Sequence, residues 1–264
     1  MRIFPDISRF DLVFSIGEDC GCAMLLNDAG LRDMSSPFDW LTKATFATRI
    51  DLLCSRFEGF LEREDLQSLP KPTQGYVDQN NDYYANRRLD FYYYHDFAAG
   101  VPLDESYSLV KAKYDRRIAR LLARLDRGGK VLMIWWSRSK RPDDAELWDA
   151  LMRVQAAYPQ STVCLLAFEN DLARPKGVTD VLHLNDRLVK VVGGICPDVN
   201  ETPGYRPATL RVLRRIRLKG AYSAFRRRWL RMCERFCTLW HFSKAGRKAA
   251  RARWRKKREL VEGL

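Results

Sequence analysis

The side chain best placed for covalent chemistry is Cys20. An apolar run from Phe10 to Ile16 ends at Gly17, polar Glu18 and Asp19 follow, and a helical pattern begins at the cysteine. That order reads as a strand, a tight turn and a thiol at a helix N-terminus. The unsatisfied N–H groups and the positive end of the helix dipole there favour thiolate over thiol. A thiolate so placed is a nucleophile for an acyl carbonyl. The amides around Gly17 and Gly21 are candidate donors to the oxyanion such an attack creates. Without that chemistry, Cys20 is a small apolar filler at a helix head. Cys22, two residues on, points to another helix face and reads as core.

A cysteine nucleophile needs an imidazole base, and the base needs a polar group to hold it. The chain has three histidines. His241 falls in a basic C-terminal stretch, and His183 lies in an apolar strand, where a satisfied core imidazole is expected. His95 follows the aromatic run Phe91 to Tyr94 and precedes Asp96, which makes it the candidate base. A loop imidazole packed among tyrosines is the plainer alternative. Asp39, within Pro37-Phe38-Asp39-Trp40, and Asp96 are candidates to orient the ring, with Asn170 a third. Asp39 reads equally well as the N-cap of a helix over 40–56. No metal is expected, because Cys20 and Cys22 are too close for a CxxC pair and no second cysteine pair or paired histidine motif completes a site. The chemistry calls for no cofactor.

These residues need elements to carry them. Strands are predicted over 10–17, 130–136, 162–168 and 178–184. Helices are predicted over 20–29, 43–57, 104–125 and 145–158. The alternation implies an α/β fold: a layered, mainly parallel sheet with flanking helices. Such sheets gather functional loops beyond the carboxyl ends of their strands. The Gly17–Cys20 turn, the Ser137–Arg141 loop and the Glu169–Asp171 loop are expected to meet at that edge.

The net charge of +13 is concentrated at one end. Residues 206–264 hold 20 Lys+Arg against 3 Asp+Glu, while residues 1–205 are slightly acidic. The division expected is an α/β domain over 1–205 and a basic helical C-terminal tail over 206–264. Within the tail, Tyr222, Phe225, Trp229, Met232, Phe236 and Trp240 recur at helical spacing, among Arg226, Arg227, Arg228, Arg231 and Arg235. A basic amphipathic helix with aromatics on its apolar face suits an anionic membrane surface. Docking on a partner or on the chain's own domain is the competing use. Nucleic acid is less favoured, because phosphate binding has no need of an aromatic face. No apolar stretch is long enough to span a bilayer, no secretory leader is visible, and the seven cysteines form no disulfide framework. The expected location is cytoplasmic, peripheral on the inner membrane.

The blocks Ser15 to Leu26, Gly30 to Arg32 and Ser36 to Trp40 resemble a bacterial family of papain-like cysteine peptidases carried as a domain of unknown function. Tyr94-His95-Asp96-Phe97 and Tyr114 to Arg120 are similar to later parts of that pattern, so the likeness covers about residues 10 to 170. The family usually has Asn before the cysteine; here Asp19 stands there, and its carboxylate opposes thiolate formation. The resemblance implies a Cys–His hydrolase with Cys20 as nucleophile and His95 as base. It also implies a setting in cell-surface glycan assembly, with proteins of that machinery as partners. A cysteine directly after the first strand of a parallel sheet also resembles the nucleophile position of SGNH-type esterases. A non-catalytic accessory protein of a polysaccharide-assembly complex is the remaining alternative.

Overall fold

The computed structural model describes residues 3–72, 77–137, 141–171, 173–175, 177–194 and 202–220. In chain order the elements are β1 (Leu12–Ser15), α1 (Cys20–Asp28), β2 (Leu41–Lys43), α2 (Phe46–Cys54), β3 (Leu66–Leu69), β4 (Asn81–Asn86), β5 (Phe91–Ala98), α3 (Leu103–Asp126), β6 (Gly129–Trp136), α4 (Asp144–Ala157), β7 (Ser161–Asn170), β8 (Thr179–His183), β9 (Leu188–Gly193) and α5 (Thr202–Leu213).

Two sheets result. The larger runs β1-β6-β7-β9-β8, parallel except for β8, which pairs antiparallel with β9 at the edge. Its strands alternate apolar side chains to both faces, as a sheet covered on both sides requires. Phe14, Val131, Met133, Trp135, Leu165 and Ala167 face one core with α2, α3 and α4. Val13, Leu132, Ile134, Trp136, Leu166 and Phe168 face a second core with α1, α5 and the N-terminal Ile3, Phe4 and Phe10. The mainly parallel α/β class read from the sequence is therefore the observed one.

The second sheet, antiparallel in the order β2-β5-β4-β3, lies between α1 and α3 in the chain. Neither this sheet nor β9 is among the predicted elements. The helix expected over 40–56 begins only at Phe46, because Leu41–Lys43 pairs with β5. Its N-cap is Thr45, whose hydroxyl accepts from Thr48 N at 3.1 Å, and not Asp39. His183, expected in the core, is exposed on the edge strand β8.

Local chemistry explains the helix that matters most. Asp19 is extended and its carboxylate accepts from Gly21 N at 2.7 Å, an N-cap that starts α1 at Cys20. Gly30, at φ +68°, ends it in a Schellman turn, with Leu31 N donating to Leu26 O and Gly30 N to Asn27 O.

The first compact unit runs through Lys219, beyond the expected boundary at 205. Leu210, Val212, Leu213, Ile216 and Leu218 are buried in the second core. The chain beyond α5 is laid beside β1: Phe10 N donates to Arg217 O and Lys219 N to Phe10 O, both at 2.8 Å. Residues 221–264, with Arg226, Arg227, Arg228, Trp229, Arg231 and Trp240, lie outside the described residues.

Candidate active site

Cys20 opens α1 immediately beyond β1, half-buried, at the carboxyl edge of the parallel sheet. Of the loops expected at that edge, the Gly17–Cys20 turn meets the end of β6 and Ser137. Glu18 N donates to Trp136 O at 2.9 Å, and the Ser137 hydroxyl bonds the Glu18 carboxylate, so the turn after β1 is tied to the end of β6. Asp19 spends its carboxylate as the helix cap, a role that Asn fills equally well. Cys22 is core: fully buried, donating from Sγ to Ile134 O at 3.7 Å, its thiol pushed up to about 12 by burial.

The amides of Gly17 and Gly21 donate within the turn. Gly17 N donates to Ser15 Oγ at 3.0 Å and Gly21 N to Asp19 Oδ1, so both amides are engaged inside the turn. A Cβ on Gly17 would stand 2.4 Å from the Cys22 Cβ and 3.0 Å from Trp136 O. Gly17 is there because α1 and β6 approach the turn too closely for any side chain.

Beneath the turn lies a residue that the sequence reading missed. Arg49 of α2 is fully buried. Its guanidinium donates to Glu18 O at 3.0 Å, Leu41 O at 3.2 Å and Ala44 O at 3.4 Å. It lies over the rings of Phe91, at 4.9 Å, and Phe38, at 5.6 Å. Burial pulls its pKa down to about 10, against the opposing pull of Glu18 and Asp19. Its signal was present: a charge three residues after Phe46 and four before Leu53, on the apolar stripe of a helix.

His95 projects from β5, partly exposed. Its Nδ1 lies 3.2 Å from Asp78 Oδ2, the geometry of an N–H held by a carboxylate. That leaves Nε2 as the nitrogen able to exchange a proton. Asp78 is itself anchored by Asn80 N at 2.9 Å and Asn81 Nδ2 at 2.8 Å. Burial raises its carboxyl, but the Asn80 amide, Asn81 and His95 outweigh that and leave it below the ordinary value. Neither expected orienting carboxylate meets the ring. Asp96, next along the strand, points to the other face. It accepts from Lys113 at 2.5 Å and Tyr114 at 2.8 Å. Asp39 is buried and accepts from Arg32 Nε at 2.8 Å and Ser36 N at 2.9 Å. Burial raises its carboxyl above the ordinary value despite Arg32. Asp78 could have been found from its Asx-turn setting, an Asp two residues before Asn80 in a polar loop that precedes a strand.

Trp40 connects the two halves. Its ring meets His95 edge-on at 5.9 Å. It also lines a cavity of about 240 Å³ with Ala23, Met24, Asn27, Asp28 and Arg32. Ala23, Met24 and Asn27 follow Cys20 at three, four and seven residues, so Cys20 continues the same helix face. The His95 ring thus has a hydrogen-bond partner in Asp78 and an edge-on aromatic neighbour in Trp40. Among the described residues, no cluster of three or more His, Cys, Asp or Glu could hold a metal ion.

A comparison with curated proteins finds "Uncharacterized protein R408" of Acanthamoeba polyphaga mimivirus, 27% identical over 139 residues. The aligned region covers 48% of this chain and 62% of the viral protein. No solved structure matches. Residues 11–171, which carry Cys20, Trp40, Asp78 and His95, match one protein family over more than half of the chain. The chain belongs to that family, a domain of unknown function described as "Putative papain-like cysteine peptidase".

Proposed function

We propose that the protein is a cysteine hydrolase or acyltransferase in which Cys20 is the nucleophile and His95, held by Asp78, is the base. The observation that carries this reading is the Asp78–His95 hydrogen bond beside Trp40, at the rim of the cavity lined by the Cys20 face of α1. Cys20 Sγ adds to the carbonyl carbon of a peptide or ester, and His95 Nε2 takes the thiol proton. The leaving amine or alcohol departs with that proton, and a thioester remains on Cys20. Water or an acceptor alcohol then attacks, giving its proton to His95 and restoring the thiol. The N-terminal dipole of α1 supports the negative charge that builds up on sulfur.

The setting proposed is the cell-surface glycan machinery at an anionic membrane. Its supports are the family resemblance and the excess of basic residues over 206–264. No helix among the described residues is long and apolar enough to cross a membrane.

The test is the pH profile of Cys20 alkylation by iodoacetamide, read by mass spectrometry. Cys20 is expected to react faster than glutathione at pH 6 and to slow about tenfold or more in His95→Ala, with Asp78→Asn intermediate. Cys20→Ser is expected to abolish turnover of acyl donors while leaving the melting temperature unchanged. A Cys20 no faster than glutathione at every pH, in a folded protein, rules out the nucleophile and leaves the accessory reading.

A further inference from the structure

Helix α3 covers the second sheet with one side and carries a cluster of positive charge on another. Lys113, Arg116, Arg117 and Arg120 lie at helical spacing and, with Ser35, line an open groove of about 590 Å³. Lys113 already has Asp96 at 2.5 Å. Among the described residues the other three have no carboxylate partner, although nearby cations do: Lys111 pairs with Asp115 and Arg124 with Asp33. Arg120 Nε donates only to Arg116 O, at 3.2 Å. Arg117 lies over the Tyr114 ring at 5.3 Å, and its Nη1 is shut off from solvent without an acceptor. Tyr114 is fully buried and donates its hydroxyl to Asp96, so Arg117 stands on a fixed platform. On the opposite wall Ser35 Oγ accepts from Arg32 at 2.9 Å, which leaves its own hydroxyl proton to donate.

Three clustered guanidiniums repel one another; Asp39 eases this at Arg117 through space, but among the described residues no ion pair offsets the repulsion of the three together. An anion in the groove would. Guanidinium forks match phosphate oxygens two at a time. One phosphate monoester carries about −1.5 to −2 charges at neutral pH, fewer than three guanidiniums call for. We propose that this groove binds a diphosphate group, gripped by Arg116, Arg117 and Arg120 with Ser35 as a neutral donor. Arg32, which lines the Trp40 cavity, donates to Ser35 of the groove. The inference stands on the groove and does not need Cys20 to be a nucleophile.

The experiment is arginine footprinting of the full chain with phenylglyoxal, read residue by residue by mass spectrometry, with inorganic pyrophosphate as probe. Arg116, Arg117 and Arg120 are expected to be protected saturably, beyond what sodium chloride of equal ionic strength gives. Arginines after Arg226 serve as the reference for non-specific anion binding. In Arg117→Met, half-protection of Arg116 and Arg120 is expected to need about tenfold more pyrophosphate. Should loss of the Tyr114 contact unfold that variant, the exposed pair Arg116→Gln/Arg120→Gln is used, with protection of Arg117 as the readout. Phosphatidylcholine vesicles carrying diacylglycerol pyrophosphate distinguish the source. Protection by these, but not by free pyrophosphate, identifies a lipid headgroup; protection by pyrophosphate alone identifies a soluble ligand. Absence of protection from both, or protection undiminished in the folded variants, overturns the proposal.

Discussion

Arg49 is an expensive residue to bury, and its surroundings say what offsets the cost. Three backbone carbonyls and two aromatic faces take the place of water, and one of the carbonyls belongs to the turn that presents Cys20. Replacing a buried ion with an apolar residue of similar volume is often neutral. Here it would strand three acceptors, at about 1–3 kcal/mol for each one left unsatisfied. Arg49→Met is therefore expected to lower the melting temperature and to slow Cys20 alkylation, because the Glu18 carbonyl loses its anchor. Arg49→Lys is not expected to restore either, since an ammonium on a flexible stem does not reproduce the planar fork. A full-rate Cys20 in a folded Arg49→Met protein would show that Arg49 serves stability alone. The His95 imidazole was identifiable by elimination among three histidines, but its partner Asp78 lies 17 residues away across the β4–β5 hairpin. Asp96, one of the candidates and adjacent in the chain, is turned away by the pleat.

The element that sets up the candidate site is the β1–α1 unit with the end of β6. Its parts were legible because they are local: an apolar run, a glycine, a capping carboxylate and a helical repeat closed by Gly30. The reason for Gly17 was not. It lies in the approach of α1 and β6, where an added methyl would stand 2.4 Å from a core side chain. Gly17→Ala is expected to cost about 1–3 kcal/mol by overpacking and to displace the head of α1. Thermal melting and the Cys20 alkylation rate measure the two effects. An unchanged melting temperature would mean that the turn can open without loss. The second sheet escaped the sequence reading for a related reason. Strands β2 and β3 have only three and four residues, and β4 and β5 are rich in Tyr, Asn and Asp with a register shift between Asp82 and Tyr84, so a clean two-residue alternation is lacking.

At the scale of the molecule, charge and packing divide the chain at different places. Basic residues become dense at Arg206, whereas the compact unit continues to Lys219. Removing 206–264 would strip five buried apolar side chains from the second core, at about 1.5–3 kcal/mol each. That sum matches the whole stability of a typical domain, about 5–15 kcal/mol. The 206–264 deletion is expected not to fold. Deleting 220–264 instead leaves the Phe10–Leu218 bridge and the Lys219–Asp11 pair, and is expected to melt near the full-length temperature. The shorter deletion is then the one to test for salt-sensitive adsorption to anionic vesicles, which it should lose. Adsorption retained without residues 220–264 would remove the tail from the membrane proposal.

The α/β alternation, the position of Cys20 at the head of α1 and the asymmetry of charge are all written into the chain locally. Each follows from periodicity, capping or composition within a few neighbouring residues. Only the tertiary structure decided which carboxylate holds His95, which cation underlies the Cys20 turn and where the domain ends. Those answers depend on register and packing between distant segments. Backbone hydrogen bonds tie such segments together whatever side chains they carry, and the interior then selects which side chains meet.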